Sequence, residues 1–352
     1  MAWIWDKEMP QFGPGKPSAG AFFDTDFATI DSVLATALLY GLQGKNDCRV
    51  AIVTISRPNL AVAGFADAVV RFYHGAAATF AQLPPVGMRT EGAPGETSPA
   101  FTVPFEKKKA DGSPVYSNQV KSMIDTGDPV TLIRNYLQAQ QSQNAIFVLS
   151  GPAANLLAAL AFPGVKPLIA DKVKYLVVAG GAFPGGPAES HFTSDIAASR
   201  KLLAEWPTPI VACGAEVGAA LEFPGDSIDK QFAEAVPDNP VADAYRAYRK
   251  MPYNAPSGAM AAVLYAARPK EGYFKLSGPG KIGVEDDGRT TFTAAEKGTH
   301  QYLIVDPAQK EKIMLAYIEL ASAKPVAAVR RFRPPANQDT PPQTTPPAPP
   351  KK

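Results

Sequence analysis

Two cysteines and three histidines are all that this 352-residue chain carries of the residues most used for redox and soft-metal chemistry. Cys48 and Cys213 lie far apart, each in a strand-like context, which argues against a disulfide framework and a thiolate metal site. No stretch approaches the roughly 20 apolar residues that a membrane-spanning helix needs. Neither sign of charge dominates: 35 Lys and Arg face 33 Asp and Glu, a net charge of +2. That balance supplies no electrostatic footprint for nucleic acid or for a membrane surface, so neither is expected as a partner. The first 16 residues carry acids and prolines where a signal peptide needs a basic start and an apolar block. As written, the chain reads as soluble and cytoplasmic; with a longer native N-terminus it would read as secreted or periplasmic.

Proline is plentiful at the C-terminal end. From Arg333 onward the sequence RPPANQDTPPQTTPPAPPKK offers nothing to bury and favours extended polyproline II. Residues 331–352 are therefore expected to be a disordered tail, residues 1–19 an N-terminal extension, and residues 20–330 one domain. Within that domain apolar runs alternate with helical periodicity. Strands are expected at 48–55, 145–150, 175–179 and 209–213. Helices are expected at 29–41, 61–73, 129–140, 153–162 and 195–206. The alternation implies an α/β fold: a single domain with a mainly parallel central sheet flanked by helices. Residues 89–128 are polar and punctuated by Gly and Pro, a long irregular stretch of the kind usually tied to function. Residues 228–267 read as mostly helical. Asp286-Asp287-Gly288 signals a hairpin, and a last helix is expected over 307–323.

The most informative segment is Ala21-Phe-Phe-Asp-Thr-Asp-Phe-Ala-Thr-Ile-Asp31. It places Asp24, Asp26 and Asp31 directly after a buried strand, where open α/β sheets carry their ligands. Three clustered carboxylates repel one another, and a hard divalent cation, Ca²⁺ or Mg²⁺, relieves that repulsion economically. The plainer alternative is a set of acids favouring a helix dipole.

With these residues in that order the chain resembles the inosine-uridine-type nucleoside hydrolases, whose D-x-D-P-G-x-D-D signature follows the first strand. Leu149-Ser-Gly-Pro-Ala-Ala-Asn155 is similar to the family's (L/P)TGPLTN segment, and Val178-Ala-Gly-Gly181 to its GG segment. Glu189 falls where the family's E-F-N motif begins. The resemblance spans roughly residues 20–325, and 107–140 and 251–274 look most like the secreted-type bacterial subgroup. It implies the nucleoside hydrolase fold and hydrolysis of the N-glycosidic bond of a ribonucleoside or related N-riboside by Asp-activated water with calcium. By the same resemblance Asp26 is the catalytic base and a metal ligand. Asp31 and the Ser150 carbonyl complete the metal set. Asp24, Asn155 and Glu189 contact the sugar, with Asn155 also ordering the turn after its strand. His191, which replaces the family's ribose-contacting Asn, either binds a sugar hydroxyl, donates to a departing base, or is a polar residue at the lip of a helix. Asn59, after the second strand, is a candidate for the pocket rim by its position.

Besides His191, the chain departs from the family pattern in two places. Phe27, Ala28 and Ile30 stand where the family has Pro, Gly and a further carboxylate. Ala259 and Gly258 stand where it has its last calcium-binding Asp and that residue's aromatic neighbour. Loss of a carboxylate lowers calcium affinity. The alternative function is therefore a non-catalytic nucleoside- or sugar-binding relative that has lost calcium binding. A third class, the haloacid dehalogenase-type phosphatases, shares Asp24-x-Asp26. It is disfavoured by Ala28, where that family needs Thr or Ser, and by the hairpin position of Asp286-Asp287. His74 and His300 read as surface or hairpin residues, and Tyr253 and Tyr265 as pocket-lining or core aromatics. Which base or sugar is bound, and whether subunits associate into a homo-oligomer, are left open.

Overall fold

The computed structural model describes residues 18–75 and 83–325; the proline-rich tail and nearly all of the N-terminal extension lie outside them. The first strand, β1 (Ala19–Thr25), is buried on both faces apart from its first residue, as expected of the centre of a parallel sheet. Its side chains alternate: Ala21 and Phe23 enter the core on one face, Phe22 the core on the other. Strands β2 (Cys48–Ile55), β3 (Val86–Met88), β4 (Ala145–Ser150), β5 (Val173–Ala179) and β6 (Ile210–Cys213) run parallel to it. The remaining strands are β7 (Phe274–Leu276), β8 (Gly280–Val284), β9 (Thr290–Ala294) and β10 (His300–Val305). The sheet order is β3-β2-β1-β4-β5-β6-β10-β8-β9, with β7 also on β10.

Chain order therefore runs outward in both directions from β1. Crevices form where that direction switches, here at the C-terminal ends of β1 and β4. Helices cover both faces. One core contains residues of α1 (Ile30–Gly44), α2 (Leu60–His74), α10 (Pro240–Tyr248), α11 (Gly258–Ala267) and α12 (Lys310–Ala321). The other contains residues of α3 (Pro129–Gln138), α4 (Ala154–Ala161), α5 (Val165–Lys172) and α7 (Ile196–Glu205). Short helices α6 (Ser190–Thr193), α8 (Ala215–Ala220) and α9 (Ala233–Ala235) complete the set. None of the described helices is long and apolar enough to cross a membrane.

Several expectations are met closely. Asp128 caps α3, with Pro129 in its first turn. Asp286-Asp287-Gly288 closes the β8–β9 hairpin, with Gly288 at φ 83°. Residues 228–267 are mostly helical, with an irregular loop over 249–257 between α10 and α11, where Pro252 and Pro256 fall. One expectation needs correction: His300 is not a surface residue. It is buried at the start of β10, where its Nδ1 accepts a hydrogen bond from the Ile282 N–H at 3.0 Å. Burial, aided by the Lys281 charge, pushes its pKa down to about 4.

Candidate functional site

Asp24 is the next-to-last residue of β1 and is fully buried. Its Oδ2 accepts hydrogen bonds from Thr54 Oγ1 at 2.6 Å and from Asn155 Nδ2 at 2.8 Å. Thr54 is its register partner on β2, so the pleat itself supplies the first donor. Asn155, in the first turn of α4, also donates to the Ile55 carbonyl at 3.2 Å and so ties the ends of β1 and β2 to α4. The other oxygen, Oδ1, is buried and has no protein partner. Burial lifts the Asp24 pKa from its ordinary 3.8 to about 7, against the opposing pull of its two donors; the Asp26 charge adds to the rise.

Asp26 lies just beyond the strand. The Ala28 N–H donates to its Oδ1 at 3.1 Å, closing an Asx turn. Its Oδ2 is held by Arg57 Nε at 3.0 Å. Between Asp26 and that turn, Phe27 adopts φ 51°, a left-handed conformation costly for a bulky residue. Its ring packs against Phe23, Phe65 and Phe101, which holds the turn in place. Gly151, after β4, allows this close approach: a Cβ there would lie 2.8 Å from the Asp26 nitrogen and 2.8 Å from Ser56 Oγ.

His191 faces Asp26 from the far side. Its Nδ1 lies 2.8 Å from the Ala179 carbonyl oxygen. A carbonyl only accepts, so that nitrogen carries the proton. Its Nε2 is buried without a partner and stands 4.0 Å from Asp26 Oδ1. Glu189 caps the short turn that carries His191. Its carboxylate accepts from the His191 N–H at 3.1 Å and from the Gly181 N–H at 3.3 Å.

Asp31, in the first turn of α1, accepts from the Ala259 N–H at 2.8 Å. Ala259 is in the first turn of α11, so a helix N-terminus directs its positive end at this carboxylate. Burial raises the Asp31 pKa, and hydrogen bonds from Thr29 and from Ala259 oppose the rise. A cavity of about 450 Å³ opens beside it, walled by Asp31, Ser150, Glu189 and His191 and by Tyr248, Arg249 and residues 253–256 between α10 and α11. Asp24 and Asp26 are not among its wall residues.

These residues do not fit a divalent cation. The carboxylates expected to share one are each satisfied by the protein itself: Asp26 by Arg57, Asp31 by the N-terminus of α11. Among the described residues no three His, Cys, Asp or Glu side chains come together as a ligand group. Arg57, which is not among the residues expected at the site, supplies the positive partner of Asp26. The signal was present in Ser56-Arg57-Pro58-Asn59, immediately after a strand.

The remaining expected residues separate by location. Ser150 lines the cavity, and its Oγ lies 2.9 Å from Ser32 Oγ. Asn155 is buried, and its amide donates to Asp24 and to the Ile55 carbonyl. Asn59 caps α2 by accepting from the Ala61 and Val62 N–H groups. Its amide nitrogen donates to the Gly95 and Glu96 carbonyls at 3.2 and 3.1 Å. All of its principal hydrogen-bonding capacity is thus spent on the protein. Tyr253 lines the cavity, whereas Tyr265 is core.

No family model and no curated protein matches this sequence. Solved structures do. An inosine-guanosine nucleoside hydrolase is 17% identical, with a TM-score of 0.65 over 86% of this chain and 99% of the other. The inosine-uridine preferring nucleoside hydrolase from Bacillus anthracis is 14% identical, with a TM-score of 0.62 over 86% and 99%. A type III effector protein, XopQ, solved with adenosine diphosphate ribose, is 13% identical, with a TM-score of 0.57 over 88% and 94%. The mostly parallel ten-stranded sheet, the helices on both its faces and these alignments over nearly the full length of each neighbour agree: this chain is built on the nucleoside hydrolase fold.

Proposed function

We propose that the cavity binds a ribonucleoside or a related N-riboside through its sugar hydroxyls, without a divalent cation. The observation that carries this reading is the wall shared by Asp31, Glu189 and His191. Carboxylates only accept hydrogen bonds, and vicinal hydroxyls are the complementary donors. His191 Nε2, unpartnered and nine-tenths buried, adds a directed polar contact. The volume of about 450 Å³ is in the range of small-ligand sites. The XopQ structure with adenosine diphosphate ribose shows that a neighbour of this fold accepts such a riboside.

A second reading rests on the gap of 4.0 Å between His191 Nε2 and Asp26 Oδ1. A water there would touch both atoms. Asp26 would take its proton as the oxygen bonds to the anomeric carbon and the C1′–N bond breaks, its electron pair leaving with the base, which takes a proton from solvent. Asp31 and Glu189 would stabilise the positive charge that develops on the ribose ring. This is N-glycosidic hydrolysis carried by the chain's own residues. Arg57 already holds one oxygen of the base, so turnover is expected to be slow.

Calorimetry with inosine, adenosine and uridine in the presence of EDTA tests the first reading, and chromatography of the same mixtures tests the second. Binding in EDTA is the expected result. Binding or base release that appears only on adding calcium would overturn the metal-free site. Base release in EDTA that Asp26→Asn abolishes would establish the second reading over a purely binding role.

A further inference from the structure

The cavity is lined by groups of opposite hydrogen-bonding character. Asp31 and Glu189 are acceptors. The loop between α10 and α11 presents Arg249 and Asn254, both exposed and both lining the cavity. Among the described residues Arg249 makes no ion pair, although Arg246, one turn earlier, pairs with both Asp229 and Asp243. The Arg249 guanidinium instead lies 5.5 Å from the centroid of the Tyr253 ring. That ring is itself fixed, stacked on Tyr245 with centroids 4.4 Å apart and with its hydroxyl donating to the Tyr245 carbonyl at 2.7 Å. The cation is thus held over a rigid platform. Asn254 accepts from the Gly225 N–H through its Oδ1 at 3.1 Å, which fixes the amide orientation and leaves the NH₂ group as a donor. This loop offers donors and a positive charge.

We infer that the ligand is an anionic N-riboside, phosphorylated on its sugar, with hydroxyls against Asp31 and Glu189 and phosphate against Arg249 and Asn254. This rests on the riboside reading above and narrows its ligand class. A neutral nucleoside can offer base acceptors to Asn254 but brings no negative charge to Arg249. A planar guanidinium beside an amide donor matches phosphate oxygens, and such charge-assisted bonds are the strong ones.

The test is calorimetry of the intact chain with adenosine and with AMP at low salt, repeated with Arg249→Ala and Asn254→Ala after circular dichroism confirms their folding. AMP is expected to bind on the order of tenfold or more tightly than adenosine. The ratio of the two dissociation constants should collapse toward one in Arg249→Ala and shrink in Asn254→Ala. Equal affinities in the wild type, or a ratio untouched by Arg249→Ala, would overturn the anionic ligand while leaving the riboside reading intact. Failure of both probes to bind at millimolar concentration would overturn the two together.

Discussion

Arg57 Nε donates to Asp26 Oδ2 at 3.0 Å, and the two residues sit at the C-terminal ends of adjacent strands, β2 and β1. The Asp26 side chain is 3% exposed and that of Arg57 25%. A carboxylate this buried needs a partner, and its partner is a covalent part of the chain. Arg57→Ala is therefore expected to lower stability by about 1–3 kcal/mol, below the full cost of breaking a wholly buried pair because Arg57 retains some solvent. Urea unfolding would measure it; an unchanged midpoint and slope would show that the pair carries no weight.

Calcium is expected to leave the thermal midpoint unchanged up to millimolar concentration. An ion that bound the folded chain at one hundred times its dissociation constant would add about 2.7 kcal/mol and raise the midpoint visibly. Asp31 and Asp26 already have positive partners, and Ala259 contributes a backbone N–H in place of a ligand oxygen. A saturable rise on titration would overturn this account of the site.

Asp24 makes stability depend on pH in an unusual direction. Its pKa is raised to about 7, so between about pH 4 and 7 the folded chain keeps a proton that the unfolded chain has released. The associated stability is fully present below about pH 4 and is lost as pH rises through 7, with a slope of at most about 1.4 kcal/mol per pH unit. His300, lowered to about 4 by burial, acts oppositely: its contribution is lost as pH falls from about 6.5 toward 4. The wild-type curve mixes the two. Asp24→Asn removes only the first, so its stability relative to wild type should increase from pH 4 to pH 7. A difference that does not vary with pH would sink the assignment.

The sheet was legible because its strands are buried on both faces and carry nearly unbroken apolar runs: 48–55 and 145–150 match the observed β2 and β4 residue for residue. Helix α5 lies in a stretch for which no element was expected, where Pro163-Gly164 and Pro167 interrupt any local helical pattern. Gly164 instead enters the helix at φ 80°, and Pro167 falls in the first turn, where its missing N–H costs little. The three aspartates were found, but their partners were not. Arg57 and the Ala259 N–H lie 31 and 228 residues from the carboxylates they satisfy. Spacing along one sequence cannot show pairings made by tertiary contact, and a backbone donor leaves no trace in residue identity. His300 was misread for the same reason: a single polar residue at a strand start carries no periodicity that would reveal burial.

Asn59 binds two parts of the molecule into one mechanical unit. Its Oδ1 closes the first turn of α2 while its Nδ2 holds the carbonyls of Gly95 and Glu96. Fraying of the helix start breaks the Oδ1 bonds and release of that segment breaks the Nδ2 bonds of one and the same amide group. Amide protons in the first turn of α2 should consequently exchange on a shared opening with the 95–96 tether, and a ligand that quiets one would quiet the other.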